Sequence, residues 1–185
     1  AYSSVAQIGY IVLGISFASA TGLTATIVHL VNHGVTKGAI FLLLGCVAAG
    51  IGGTSLARAQ GLSKSMPLTA AALVLCGLSL IGVPGTAGFV SKWYLILAAL
   101  ERGQWWLVFM IVASSLLAVV YVWRFVEAAY FRAPRADLAP IAPLPWSMRV
   151  PAALLVAATL WFGLDTSLTV VPAQQAAAAL LGVAR

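Results

Sequence analysis

Three titratable side chains share one stretch of this sequence. His29, His33 and Lys37 recur every four residues in IVHLVNHGVTKGAIFLLLG (Ile27–Gly45), a run that is otherwise almost wholly apolar. At about 100° per residue, a step of four drifts only ~40° around a helix, so the three share one face. With ~1.5 Å of rise per residue they make a polar stripe roughly 12 Å long. Imidazole titrates near neutral pH and both its nitrogens are usable, so groups this close can pass a proton directly or through a water. His-x3-His is also a zinc-ligand spacing. Here no acidic or thiol third ligand stands nearby, and Lys37 one turn away repels a cation, so no metal site is expected.

A second lysine, Lys92, follows Gly82-Val83-Pro84-Gly85 inside another apolar stretch. A lysine at the centre of a spanning helix costs roughly 2.5–3.5 kcal/mol on insertion scales, so a buried one calls for a function. The competing reading is snorkelling, in which the ammonium reaches the headgroups. Lys37 lies too deep in its span for that. Lys92 lies nearer an end, but the adjacent helix break, which is tolerated only against protein or water, argues that it faces inward. Arg124 and Glu127, spaced i,i+3, read as a possible ion pair at an interface. No Ser/His/Asp set, phosphate-binding glycine loop or dinucleotide fingerprint is present, so neither a catalytic residue nor a cofactor is expected.

The elements that carry these groups belong to a membrane. The 185 residues are 62% hydrophobic and 8% charged, with a mean hydropathy of +1.05, against roughly 25% charged residues in a soluble domain. The expected class is an all-α, polytopic helix bundle. A net charge of +6 carries no nucleic-acid signal, because the basic residues sit singly or in pairs at the ends of apolar runs. Cys46 and Cys76 both lie inside apolar stretches and read as small core residues.

Five spans can be drawn within a transmembrane bundle over residues 1–171: about 1–20, with Gln7 and Tyr10 its main polar groups, 23–51, 68–100, 104–131 and 150–171. The third is too long for one straight crossing. Pro84 removes a hydrogen bond and Gly85 relaxes the backbone, so a discontinuous helix broken near residue 84 is expected. Pro67 suits the first turn of its helix, and Trp105-Trp106 marks an interface belt. Residues 172–185 read as an alanine-rich C-terminal tail. The loops after spans two and four hold Arg58, Lys64, Arg132, Arg135 and Arg149, against Arg102 and Arg185 on the other side. Positive charge marks the cytoplasm, which puts the C-terminus outside a cell inner (plasma) membrane. The chain opens in mid-pattern at Ala1 and reads as a C-terminal fragment or one piece of a split subunit.

AYSSVAQIGYIVLG, HLVNHGVTKGAIFLLLG and GVPGTAGFVSKWYL, in this order and spacing, resemble the antiporter-like membrane subunits shared by respiratory complex I and the Mrp-type multisubunit cation/proton antiporters. The resemblance covers nearly the whole chain but only about the C-terminal two-fifths of a family member, which has about fourteen helices in inverted repeats. It implies an inverted-repeat transporter fold in which Lys37 matches the central lysine of one helix and His29 and His33 the histidines before it. Lys92 matches the lysine of the broken helix, on the outward half of a proton path. The wording VSKWYL and SKSMPL is most similar to the D-type Mrp subunit, and this implies a proton-conducting subunit of a cation (Na+)/proton antiporter. A proton-pumping subunit of NADH:quinone oxidoreductase or a related hydrogenase complex is the alternative, and a purely structural membrane subunit is a third. The partners implied are other membrane subunits, the missing N-terminal half of the same subunit, the lipid bilayer, protons and possibly Na+, and no nucleic acid.

Overall fold

A computed structural model describes residues 2–134 and 144–182, all of them helical or connecting. The fold is built around α2 (Ala20–Ile51), a helix of 32 residues. At ~1.5 Å per residue it is about 48 Å long, well beyond the ~30 Å hydrocarbon core of a bilayer. Ser19 caps its start, its side-chain oxygen accepting from the Gly22 N–H at 3.1 Å, and Gly52 at φ 72° ends it in the left-handed conformation. Around α2 pack α1 (Tyr2–Ser16), α4 (Pro67–Ile81), α5 (Ala87–Glu101), α7 (Trp146–Leu164) and α8 (Ser167–Leu180). The short α3 (Leu62–Ser65) leads into α4, and α6 (Trp105–Val126) runs on through a π-helical turn, Glu127–Phe131.

The third span is discontinuous, as the Pro-Gly pair implies. Gly82 at φ 92° terminates α4, its N–H bonding the Leu78 carbonyl, and Thr86 in extended backbone starts α5. Each half is 15 residues, or about 22 Å, too short to cross alone. Pro67 occupies the first turn of α4. Among the described residues three helices, Ala20–Ile51, Trp105–Phe131 and Trp146–Leu164, are long and apolar enough to cross a membrane singly, and α1 and α4 are apolar but shorter. The surface is correspondingly apolar: α6 buries Ile111, Ala118 and Val122 and exposes Phe109, Leu116, Leu117 and Trp123.

The last span differs from the expected 150–171. Asp165 Oδ1 accepts from the Ser167 N–H at 3.0 Å and its hydroxyl at 2.6 Å, closing a turn that ends α7 at Leu164 and starts a separate helix. What reads as an alanine-rich tail is largely α8. Its Val170 and Ala173 are buried against Val28 of α2 and Val90 of α5.

Candidate functional site

Where α4 stops, its last turn leaves carbonyls without helical partners. Lys92, on α5, reaches back to them: Nζ donates to the Leu80 oxygen at 2.9 Å, the Ile81 oxygen at 2.8 Å and Ser115 Oγ of α6 at 2.9 Å. An ammonium has three N–H donors, and all three are used. The negative end of the α4 dipole adds a favourable field. The side chain is 5% exposed, so Lys92 does not snorkel. Gly82 is required twice over, by its positive φ and because a Cβ there would stand 2.9 Å from the Lys92 stem. Pro84 and Gly85 lie in the connecting turn, where Gly85 has φ 86°, and shape the break.

The Tyr10 ring stands beside Lys92, its centre 5.1 Å from Nζ, a cation–π contact. Its hydroxyl bonds Ser114 of α6. The same ring meets His29 edge-on, with centroids 5.5 Å apart at 70°. His29 is buried, and its Nδ1 lies 2.8 Å from Ser91 Oγ. His33 stacks on His29 with ring centres 6.0 Å apart and planes 3° from parallel. Asn32 donates to the Ala87 carbonyl at 2.8 Å, and Thr36 Oγ1 lies 3.3 Å from Ser79 Oγ. The polar face of α2 thus clasps both half-helices. Three atoms along it, His29 Nε2, Asn32 Oδ1 and His33 Nδ1, are buried without a hydrogen-bond partner among the described residues. Such atoms cost about 1–3 kcal/mol each unless something else bonds them.

His33, His29 and Lys92 are therefore brought together, with Tyr10 between the last two. Lys37 stands apart: its Nζ donates to Ser3 Oγ of α1 at 2.5 Å and lies 5.9 Å from the centre of the Phe41 ring. The drift of ~40° per step accumulates to about 80° between residues 29 and 37, enough to turn one end of the stripe toward α5 and the other toward α1. Arg124 and Glu127 do not form the expected pair. Glu127 bonds Arg132 at 2.8 Å, because the π-helical turn brings i and i+5 into line.

Sequence reasoning passed over Ser91, Ser115 and Asn32, and gave Tyr10 no role. A serine next to the membrane lysine, and the pair Ser114-Ser115 in an otherwise apolar span, are the signals that could have found two of them.

Comparison with known proteins bears on the family and the fold. Residues 1–118 match the family model described as NADH:quinone oxidoreductase/Mrp antiporter, TM. The NADH-quinone oxidoreductase subunit N of Desulforudis audaxviator is 41% identical over 162 residues, 84% of this chain and 32% of that protein. The chain thus spans about a third of that relative's length. A chain of the Mrp complex from a Dietzia species superposes with a TM-score of 0.89 at 28% identity, covering 98% of this chain and 42% of its own. One from respiratory complex I of Thermus thermophilus shares the fold, with a TM-score of 0.83 at 23% identity over 98% of this chain and 38% of its own. By its matched residues, its discontinuous third span and these likenesses, the chain belongs to the NADH:quinone oxidoreductase/Mrp antiporter transmembrane family.

Proposed function

We propose that this chain carries part of the proton path of a membrane subunit in a multisubunit ion-translocating complex, with His33, His29 and Lys92 handing protons along and Lys37 serving the α1 side. The observation that carries this reading is Lys92: a buried ammonium whose hydrogen-bond partners among the described residues are two carbonyls of a broken helix and a serine. No acid neutralises it among the described residues. Structural lysines pair with carboxylates, whereas a lysine held by neutral groups can change protonation without stranding a countercharge. The neighbouring imidazoles, with buried unpartnered nitrogens, are suited to give and take that proton.

Membership of a cation (Na+)/proton antiporter, as its D-type subunit, is supported by the likeness to the Mrp complex chain over 98% of this chain. A proton-pumping role in a quinone-reducing complex is the second reading, favoured by the 41% identity to a subunit N. The partners in either case are other membrane subunits and the remainder of the same subunit. The C-terminus faces outward across the plasma membrane, on the count of basic residues by loop.

The test is proton flux in vesicles holding the assembled complex, with Na+ present or absent, and a subunit inventory of what co-purifies. Na+-dependent flux with small membrane subunits supports the antiporter. Flavin- and iron–sulfur-bearing partners support the quinone-linked pump. Wild-type flux in a Lys92→Ala complex would leave only a structural role.

A further inference from the structure

We infer that the groove between α4 and α7 binds an anionic phospholipid, its acyl chains lying in the groove and its phosphate on Arg149. The assignment does not depend on the proton path.

The groove arises from small residues. Ala153 and Ala157, one turn apart on α7, and Ala72 of α4 line one cavity, where short side chains leave the space between the two helices unfilled. Leu43 and Cys46 of α2 also line it. The space amounts to about 870 Å³. Trp146, Arg149, Ala153, Ala157 and Leu160 line it at steps of three or four residues, so they share one face of α7. The groove therefore follows that face for about 21 Å, from Trp146 to Leu160.

These dimensions select the occupant. Spread over that length, the volume gives a mean cross-section of about 40 Å², about half that of a helix ~10 Å across. A partner helix is too wide to lie in it, whereas hydrocarbon chains fit. The groove is also longer than one leaflet is deep, at ~15 Å for half of a ~30 Å hydrocarbon core. A chain that enters at Trp146 is thus held along its whole length.

The two ends differ in chemistry. Toward Leu160 the α7 lining is apolar: Ala153, Val156, Ala157 and Leu160. At the other end stands Arg149, its guanidinium 5.1 Å from the centre of the Trp146 ring, with the hydroxyl-bearing Ser65 and Thr69 also in the lining. Trp146 is 73% exposed, as befits an indole at the level of the headgroups. Among the described residues no acidic side chain lines the groove, and the ion pair they contain joins Arg132 to Glu127 instead. Both α4 and α7 begin at this end, at Pro67 and Trp146, and the positive ends of their dipoles add to the guanidinium. A phosphate suits the guanidinium, which can grip two of its oxygens at once, and two acyl chains suit the trough below.

The experiment is photolabelling of the complex that holds this chain, in phosphatidylcholine vesicles with a trace of phosphatidylglycerol that carries a photoreactive group midway along one chain. Mass spectrometry locates the label. Residues 153–160 should be labelled about fivefold more than by a phosphatidylcholine bearing the same group, the factor that one basic residue supplies toward an anionic lipid. Arg149→Gln should bring the anionic lipid down to the choline level, and Arg149→Lys should keep most of the excess. Ala157→Trp, which fills the groove and leaves the charge in place, should abolish labelling there by both lipids. Equal labelling by the two lipids in the wild type, or undiminished labelling in Arg149→Gln, overturns the inference. So does an unlabelled groove with label elsewhere on α7, which would mean that a protein segment covers it. If Ala157→Trp does not assemble, the lipid ratio and the two Arg149 variants decide.

Discussion

The Lys92 ammonium lies 5.1 Å from the centre of the Tyr10 ring, and that ring also meets His29 at 5.5 Å. One aromatic side chain on α1 thus separates the two titratable groups of α2 and α5. Its face offers negative quadrupole to the lysine while its hydroxyl is tied to α6.

Two substitutions divide those roles. Tyr10→Phe keeps the ring and should lower thermal stability by about 1 kcal/mol, the worth of a net hydrogen bond. Tyr10→Leu removes the cation–π contact as well, worth a further ~0.5–2 kcal/mol. Flux should follow the same order. Equal effects of the two variants would mean that the ring does nothing for Lys92.

Lys92→Ala should reduce proton flux by at least about tenfold without dismantling the complex. The variant strands two carbonyls but also relieves the helix of a buried charge, so insertion should survive. Lys92→Arg keeps a charge at the break yet holds its proton too tightly to release it, and should retain partial activity. Flux normalised to assembled complex is the measurement.

Gly88→Ala should destabilise the fold by about 1–3 kcal/mol, because the added methyl meets the Ser79 backbone, which cannot swing away. Gly34→Ala on α2 is the control. Nothing lies within 4 Å of its added Cβ, so the change should stay within about 1 kcal/mol of neutral or favour the helix. Melting temperatures of the purified chain in one detergent distinguish the two.

Glu127→Gln should leave stability almost unaltered. Its pair with Arg132 is open to solvent, at 42% and 53% exposure. Exposed pairs contribute about 0–1 kcal/mol.

Asp165, in the turn between α7 and α8, should titrate below an ordinary aspartate, because the Ser167 hydroxyl and N–H stabilise its carboxylate. A depressed value in the folded state means that the turn gains stability above the unfolded aspartate's pKa and loses it as pH falls through the folded one. Ser167→Ala should move the titration back up. A carboxyl-labelled NMR titration reads both.

Much of the scaffold could be read from residue order, and for identifiable reasons. The break at Gly82–Gly85 announces itself because proline and glycine act on their own backbone, whatever the surroundings. The start of α8 does not, since a two-residue turn closed by Asp165 and Ser167 leaves the apolar pattern almost unbroken. The titratable groups themselves are conspicuous, being charged or polar in an apolar chain. Their partners are not. Tyr10 and Ser115 come from helices far away in sequence, and only packing brings them to Lys92. The shared face of His29 and Lys37 is real as helical geometry, but a small drift per turn sends the two ends to different neighbours.

Gly163 of α7 lies so close to Thr86 that a Cβ on it would fall on the Thr86 backbone. The two main chains touch where the third span restarts, with no side chain between them to absorb a displacement. Any shift of that restart is therefore transmitted to α7, which carries Trp161, 55% exposed on the outer surface of the bundle. The fifth span is a built-in reporter: with the other five tryptophans replaced, the fluorescence of this one exposed indole will register what the interrupted helix does in the interior.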